Sequence, residues 1–250
     1  LKITTNTPES DIASSGEYLA LYQKIEGQNL QDLAYGTASA KPVTVSFYVK
    51  SSITGTFCYT VYRNETTDRA INKTYTIDNV NIWERKSITL EGDETQAIGN
   101  DNADNWWNVW ILGSSPGYYS APTSVWANYS SSNWAGFHEE NGVITTNGAT
   151  WQITGVQIEI GENATEFEHR SFAEELSLCQ RYFWRLDNAS NAAGAQWLYK
   201  IGHGGNDGYR RATVNHPVPM RGSPSVTNIS LTATGSASGV QFNGSHTSTI

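Results

Sequence analysis

Residues 153–183, which read ITGVQIEIGENATEFEHRSFAEELSLCQRYF, are the most informative part of the sequence for predicting the fold. Apolar and polar residues alternate in its first half, as they do in a half-buried β-strand. In its second half the apolar residues recur at helical spacing. Ser171 is followed three residues later by Glu174, which forms the capping box that begins a helix. The stretch therefore predicts a strand, a charged junction at 166–171 (EFEHRS) and a short helix of about two turns.

The sequence before this stretch reads as a succession of short strands. Segments rich in β-branched and aromatic residues alternate with turn residues. Residues 19–33 (LALYQKIEGQNLQDL) are ambiguous and read either as a short helix or as two short strands. A change of face within the strand at 150–161 predicts a β-bulge near Gly155. The strand-like segments lie at 42–52, 57–63, 73–80, 83–92, 105–112 and 150–161.

Strand-like sequence also returns after the helix, separated by Gly and Pro turns. The fold class is therefore all-β: a jelly-roll β-sandwich followed by a short helix and a smaller β-rich C-terminal domain. We expect the sandwich to occupy 1–168, the capped helix and connector 169–186, and the C-terminal domain 187–250, which we expect to be incomplete. Phe167 is expected to anchor the exit loop against the sandwich, and Glu168 is expected to form an ion pair with Arg170.

Composition excludes several classes of partner. The chain has 250 residues, a formal net charge of −8 and only 16% charged residues. No run of Lys and Arg is available to neutralise phosphates, so nucleic acid is not an expected partner. No apolar run of about 18 residues is present, so membrane insertion is not expected either. Cys58 and Cys179 lie far apart, and we expect two buried thiols rather than a disulfide.

The opening stretch resembles a junction that recurs in bacteriophage tail-fibre and related virion proteins. Flanking sequence supports the resemblance at 46–64 (SFYVKSSITGTFCYTVYRN), 81–93 (NIWERKSITLEGD) and 215–227 (NHPVPMRGSPSVT), so that it covers about residues 42–228. The matching residues in the junction are Gly155, Val156, Gln157, Glu159, Gly161, Ala164, Thr165, Phe167, Glu168, Arg170, Glu175, Leu176, Cys179, Gln180, Arg181 and Tyr182.

The resemblance implies a carbohydrate-binding-module-like jelly roll on the outside of a virion. It implies a homotrimer made in the cytoplasm of the bacterial host, with other virion subunits as partners, but it gives neither a catalytic site nor a receptor. A host cell-surface glycan is the further expected partner because of the aromatic residues described next. Leu176, Cys179 and Phe183 form one helical stripe, which either faces the three-fold axis as an oligomer interface or packs on its own sandwich. A long shaft and an obvious attachment domain are lacking, which leaves tail tip, side fibre and capsid open as locations.

The candidate sugar site lies in the aromatic sequence at 105–137. Aromatic faces stack on the C–H faces of sugar rings, and neighbouring Asn and Ser residues bind hydroxyls. Within 105–112, Trp106 and Trp110 point to one face and Trp107 to the other, so that one set must be core. The loop aromatics are the expected exposed, carbohydrate-binding residues: Tyr118, Tyr119, Trp126, Tyr129 and Trp134. Replacing Trp126 and Trp134 with Ala is then expected to weaken retention on host polysaccharide.

Metal binding has one weak candidate. Calcium prefers several oxygen ligands, and NDNADN (100–105) offers Asp101 and Asp104 among Asn residues. The spacing departs from the D-x-[DN]-x-[DN]-G pattern, so the alternative is a solvated turn. No other cofactor is expected.

Catalysis is not expected. Glycoside hydrolysis needs two carboxylates across a cleft, whereas Glu139 and Glu140 are adjacent and the histidines are scattered. The sequence favours a non-enzymatic virion protein, a tail fibre that binds host surface polysaccharide for adsorption. Two alternatives stay open: a purely structural virion decoration or tail protein, and a polysaccharide depolymerase.

Overall fold

In a computed structural model, the chain forms two compact units, Leu1–Glu168 and His169–Ile250. The structure describes residues 1–9, 17–115, 118, 124–131, 134, 142–186, 201–203, 210–212, 216–223, 225–233 and 240–247. In the first unit these residues form the strands β1 (Lys2–Thr4), β2 (Tyr18–Ile25), β3 (Val43–Ser51), β4 (Gly55–Arg63), β5 (Arg69–Ile77), β6 (Glu84–Leu90), β7 (Trp106–Ser114), β8 (Ala127–Asn128) and β9 (Thr150–Ile160). A 3₁₀ helix spans Gly27–Leu33.

The first unit is built from two antiparallel sheets. One has the strand order β1-β9-β3-β6 and the other β2-β7-β4-β5-β8. The hydrogen-bonded pairs are nested, because β1 pairs with β9, β2 with β7, β3 with β6, and β4 with β5. The all-β sandwich predicted from the sequence is confirmed, and the jelly-roll topology stays a prediction. The ambiguous residues 19–33 form most of β2 and then the 3₁₀ helix.

The main core lies between the two sheets because alternate residues of each strand point inward. The ring of Phe47 on β3 meets that of Trp110 on β7 at a centroid distance of 5.7 Å. Trp106 is also fully buried in this core, whereas Trp107 and Val109 belong to the opposite face of β7. The prediction that the two sets of β7 residues lie on opposite faces is therefore confirmed.

A charged cluster, which the sequence analysis missed, closes one end of this core. The buried Asp93 carboxylate accepts hydrogen bonds from Arg63 Nη1 at 2.6 Å and from Arg69 Nη2 at 3.1 Å. Burial lowers the pKa of Arg63, and the neighbouring Asp93 carboxylate opposes that shift. The two arginines come from the facing ends of β4 and β5, so only sheet pairing brings them to one carboxylate.

The last strand of the sandwich carries the predicted bulge. Its pairing with β3 shifts register between Ser46 and Tyr48, and Gly155 lies in the bulge with φ at +58°. An ideal Cβ on Gly155 would lie 3.1 Å from Tyr48 Cδ2 and 3.7 Å from Phe167 Cδ2. The exit loop therefore brings Phe167 against the bulge of β9, where the sequence led us to expect an anchor.

Side chains of β9 hold the exit loop at residues 161–168. Gln157 Oε1 accepts the Glu168 N–H at 2.7 Å, and Gln157 Nε2 donates to the Glu166 carbonyl oxygen at 3.2 Å. Glu159 accepts hydrogen bonds from both the backbone N–H and the hydroxyl of Thr165. The hydroxyl bond is the main cause of the lowered pKa of Glu159. Several residues of the opening motif thus serve to fold this loop.

The second unit begins with the predicted helix, α1 (Phe172–Gln180). Ser171 caps it, since the Ser171 side chain accepts the Glu174 N–H at 3.3 Å, which confirms the predicted N-cap and one of the two hydrogen bonds of a capping box. Arg170 pairs with Glu175 at 3.5 Å, so the predicted pairing of Arg170 with Glu168 is wrong. The described strands that follow are β10 (Phe183–Leu186), β11 (Ile201–His203), β12 (Arg210–Ala212), β13 (Ser225–Ala233) and β14 (Val240–Thr247). They form a sheet of order β10-β14-β13 and the pair β11-β12.

The cysteines differ from expectation in one respect. Both are free thiols, and Cys58 is buried on β4, where burial raises its pKa to about 12. Cys179 is exposed on α1, so the prediction of two buried thiols is wrong for this residue. Cys179 is exposed because it lies on α1, and none of the side chains of this helix is buried.

Candidate functional site

The outer face of the five-stranded sheet is covered by a second apolar cluster. Val109 and Ile111 of β7 are buried there together with Cys58 and Trp134. Trp134 follows β8 in the chain and is held over the sheet, because the Thr60 hydroxyl donates to its carbonyl oxygen at 2.8 Å. Trp134 of this cluster also lines a pocket on the same face of the sheet.

The pocket has a volume of about 220 Å³, and we call it the aromatic pocket. Its described lining is entirely aromatic. Three adjacent strands supply four of the side chains, and the polypeptide between β7 and β9 supplies three. The lining residues are Tyr18, Tyr22, Tyr62, Trp107, Tyr118, Tyr129 and Trp134.

Strand register brings the sheet residues together. The strands run in the order β2-β7-β4, so β7 lies between the other two. Trp107 of β7 stands directly opposite Lys24 of β2 on one side and Tyr62 of β4 on the other. Tyr22 lies two residues before Lys24 and therefore on the same face, next to the indole.

The rings pack against one another at fixed angles. Tyr62 is the centre of this packing, with centroids 5.0 Å from both Trp107 and Tyr129 in edge-to-face geometry. Trp134 stacks on Tyr22 at 6.1 Å. Edge-to-face and offset stacked pairs are favourable aromatic arrangements, so the pocket walls are mutually supported before any ligand arrives.

Three charged side chains border the aromatic pocket. Lys24 Nζ lies 3.8 Å from the centroid of the Trp107 ring and 2.8 Å from Asp104 Oδ2. On the other side, the Tyr62 hydroxyl donates to Asp68 Oδ2 at 2.6 Å. Burial raises the pKa of Tyr62, and the hydrogen bond to Asp68 raises it further.

The structure unites part of the predicted carbohydrate-binding set. Tyr118, Tyr129 and Trp134 line the aromatic pocket together. Trp134 is only 6% exposed, so the prediction that it is an exposed residue is wrong, because it packs on the sheet. Trp126 lies elsewhere: it packs on the main core and donates from Nε1 to the Glu91 carbonyl oxygen at 2.7 Å. Tyr119 lies outside the described residues.

Sequence reasoning missed the strand contribution to the pocket. Tyr18 and Tyr22 lie in a segment whose secondary structure was ambiguous. Tyr62 has the opposite parity to the core residues of β4, which is a signal for the outer face. Trp107 was placed on the face away from Trp106, but that face was not identified as a binding surface.

The two acidic residues proposed for calcium do not fit a cation site as they are placed. Asp104 is paired with the Lys24 ammonium, which would repel a cation. Asp101 accepts the Ala103 N–H at 3.0 Å. Within the described part of the chain, no group of three or more His, Cys, Asp or Glu residues is placed to hold a metal ion.

The predicted oligomer stripe is exposed on α1 and at the start of β10. Leu176 is 42% exposed and Phe183 is 49% exposed, and Cys179 is also exposed. The trimer stays a prediction. Glu139 and Glu140, the adjacent carboxylates considered for catalysis, lie outside the described residues.

Across the described ranges, no helix is both long enough and apolar enough to span a membrane. No protein-family model, curated protein or solved structure matches the chain. Function is therefore inferred from the aromatic pocket and from the sequence.

Proposed function

We propose that this chain is a non-enzymatic surface protein of a bacteriophage virion, a tail fibre that binds host polysaccharide through the aromatic pocket. The observation that carries the proposal is the convergence of seven aromatic side chains on one cavity. The resemblance of residues 153–183 to virion proteins supports the location. The two-sheet fold supports the role, since sandwiches of this kind present binding surfaces on their sheets.

The chemistry of the pocket suits a small part of a glycan. Aromatic faces stack on apolar C–H surface, and phenol hydroxyls both donate and accept hydrogen bonds. The volume, about 220 Å³, is below the roughly 300–1,000 Å³ of sites for drug-sized ligands. One sugar ring or one substituent is therefore the expected occupant, with the rest of the polysaccharide outside.

Such a site binds weakly by itself because it makes few buried contacts. Three copies in a trimer, and several fibres on one particle, raise the avidity by about 10² or more when the geometry permits simultaneous binding. The proposed homotrimer and the proposed pocket thus support each other.

The proposal is tested by affinity electrophoresis of the purified chain through gels that contain polysaccharide from candidate hosts. We expect retardation, without new reducing ends. Replacing both Tyr118 and Tyr129 with Ala is expected to weaken retention by about ten-fold, because two stacking faces are lost. Trp83→Ala is the matched control, since Trp83 is an exposed aromatic residue that does not line the pocket.

The structure changes the choice of variants. Trp126→Ala combined with Trp134→Ala, the test that follows from sequence alone, would remove a partly buried, hydrogen-bonded residue that packs on the main core and a buried residue of the sheet face. Loss of retention in that variant would report unfolding as readily as loss of a site. Tyr118 and Tyr129 are only partly buried, and a thermal melt checks that their double variant remains folded.

A second function is favoured by the exposed stripe on α1. A purely structural virion protein needs apolar surface for its neighbours, and Phe172 is 81% exposed beside Leu176. No retardation with any host polysaccharide would favour that function over glycan binding. New reducing ends would instead identify a depolymerase.

A further inference from the structure

We propose that the group which enters the aromatic pocket is a quaternary alkylammonium cation, carried as a substituent of the host polysaccharide. The polysaccharide as carrier rests on the proposed function above. The choice of the cation rests on the pocket alone.

The first argument is the composition of the walls. Every described lining residue is aromatic, and the face of an aromatic ring attracts a cation through its quadrupole. A quaternary ammonium also has an apolar shell of methyl groups and no N–H donor. It therefore makes van der Waals contact with the rings and leaves no hydrogen bond unmade.

The second argument is that one wall already holds an ammonium group. Lys24 Nζ lies 3.8 Å from the centroid of the Trp107 ring, well inside the roughly 6 Å range of a cation–π contact. The Trp107 indole N–H donates to the Asp104 carbonyl oxygen at 2.8 Å, which fixes the ring. One ring of the pocket wall, that of Trp107, is thus already in contact with a cation within the molecule.

The third argument is the charge balance at the pocket. Lys24 is neutralised by Asp104 at 2.8 Å. Asp68 forms no ion pair with any side chain that the structure describes, and it accepts the Tyr62 hydroxyl at 2.6 Å. One carboxylate therefore remains uncompensated beside the cavity, joined to its wall through a tyrosine.

Anionic ligands are disfavoured for the same reasons. Burial raises the pKa of Tyr22, and its tyrosine neighbours raise it further. The pKa of Tyr129 is likewise raised by burial, then by neighbouring tyrosines and Asp68. These raised pKa values mean that negative charge in the pocket is unfavourable. Binding of the carboxylate of a uronic acid or of a sulfate ester is therefore also unfavourable, because no uncompensated cation is among the described lining residues.

The test compares choline with its neutral carbon isostere, in which a tert-butyl group replaces the trimethylammonium group. Binding to the full chain is followed by tryptophan fluorescence and by calorimetry. We expect saturable choline binding and an affinity for the isostere that is about ten-fold lower, since only the cation gains from the ring quadrupole and Asp68. Equal affinities, or no choline binding, would overturn the inference.

Asp68→Asn tests whether the negative charge of Asp68 contributes to choline binding. The amide oxygen can still accept the Tyr62 hydroxyl, whereas the amide NH2 cannot accept the Glu65 N–H that Asp68 Oδ1 accepts at 3.2 Å, so a thermal melt checks that the variant remains folded. We expect several-fold weaker choline binding and unchanged isostere binding. Asp32→Asn is the matched control, because it removes an equal charge from an exposed site outside the pocket. Identical choline affinities in the two variants would contradict the role of Asp68.

The outcomes separate this inference from the proposed function. If the chain is retained on polysaccharide and excess choline does not reduce the retention, glycan binding is supported and the proposed cation site is contradicted. Saturable choline binding without retention on any polysaccharide would support the cation site and contradict the glycan carrier. If choline abolishes the retention and the neutral isostere leaves it unchanged, both the glycan carrier and the cation site are supported.

Discussion

Gly155, in the bulge of β9, is constrained both by its backbone conformation and by the side chains packed around it. Its φ of +58° lies in the left-handed region that favours glycine, and an ideal Cβ at this position would lie 3.1 Å from Tyr48 Cδ2. Gly148 has a similar φ of +77°, but no atom lies within 4 Å of its ideal Cβ position. The two positions therefore share the backbone requirement and differ in the surrounding packing.

We expect Gly155→Ala to destabilise the chain more than Gly148→Ala does. Both substitutions incur the cost of a left-handed alanine, about 1–2 kcal/mol. Only Gly155→Ala also forces the ring of Tyr48 to move. Urea unfolding of the two variants measures the difference in the free energy of unfolding, and equal losses would show that the bulge tolerates a side chain.

At the scale of elements, the turn between β5 and β6 is organised by Glu84. The Glu84 carboxylate accepts the N–H groups of Asp78 at 3.0 Å and Asn79 at 2.6 Å, and it pairs with Lys86 at 2.6 Å. Partial burial acts to raise its pKa, but the hydrogen bonds from Lys86, Asp78 and Asn79 outweigh it and lower the pKa to about 2.

This lowered pKa predicts a pH-dependent contribution to stability. The folded pKa, about 2, lies below the ordinary value of 4.5, so the contribution is present in full above about pH 4.5 and is lost as the pH falls towards 2. We therefore expect Glu84→Gln to lower the free energy of unfolding at pH 7 and to have a diminishing effect below pH 4.5.

The matched control is Glu94→Gln, which removes the same charge from an exposed position. Urea unfolding of the wild type and both variants across that pH range measures the effect. A constant difference between Glu84→Gln and the wild type from pH 7 to pH 2 would contradict the proposed role of the ionised carboxylate.

Assembly of the chain is expected to involve the apolar stripe on α1. The stripe of Leu176, Cys179 and Phe183 presents apolar surface without a buried side chain on α1. Exposed apolar stripes of this kind mark interaction surfaces. Under the proposed function, the expected partner is another copy of the same chain.

We expect the chain, whose mass is 27.5 kDa, to sediment as a trimer. Leu176→Asp is expected to shift it to the monomer, because three carboxylates would be brought together at an apolar interface. Ser177→Asp adds the same charge about 100° further around the helix and is expected to leave the trimer intact. A wild-type chain that sediments as a monomer at all concentrations would contradict the interface.

Features that depend on local periodicity and backbone geometry were predictable from the sequence. Alternation predicted the strands and the two faces of β7, and the Ser171–Glu174 pair predicted the start of α1. The change of face at Gly155 predicted the bulge. These features are readable because strand and helix periods, caps and left-handed glycines act over a few residues.

The identity of the residues that form the aromatic pocket could not be predicted from the sequence, because it depends on long-range contacts. Tyr18 and Trp134 are distant in the chain and meet because strand order and the covering segment place them on one face. Trp126 belongs to the same aromatic sequence as Trp134 but packs on the main core instead. Composition cannot separate these two tryptophans, because the side of the sheet that a loop covers depends on long-range contacts and not on local pattern.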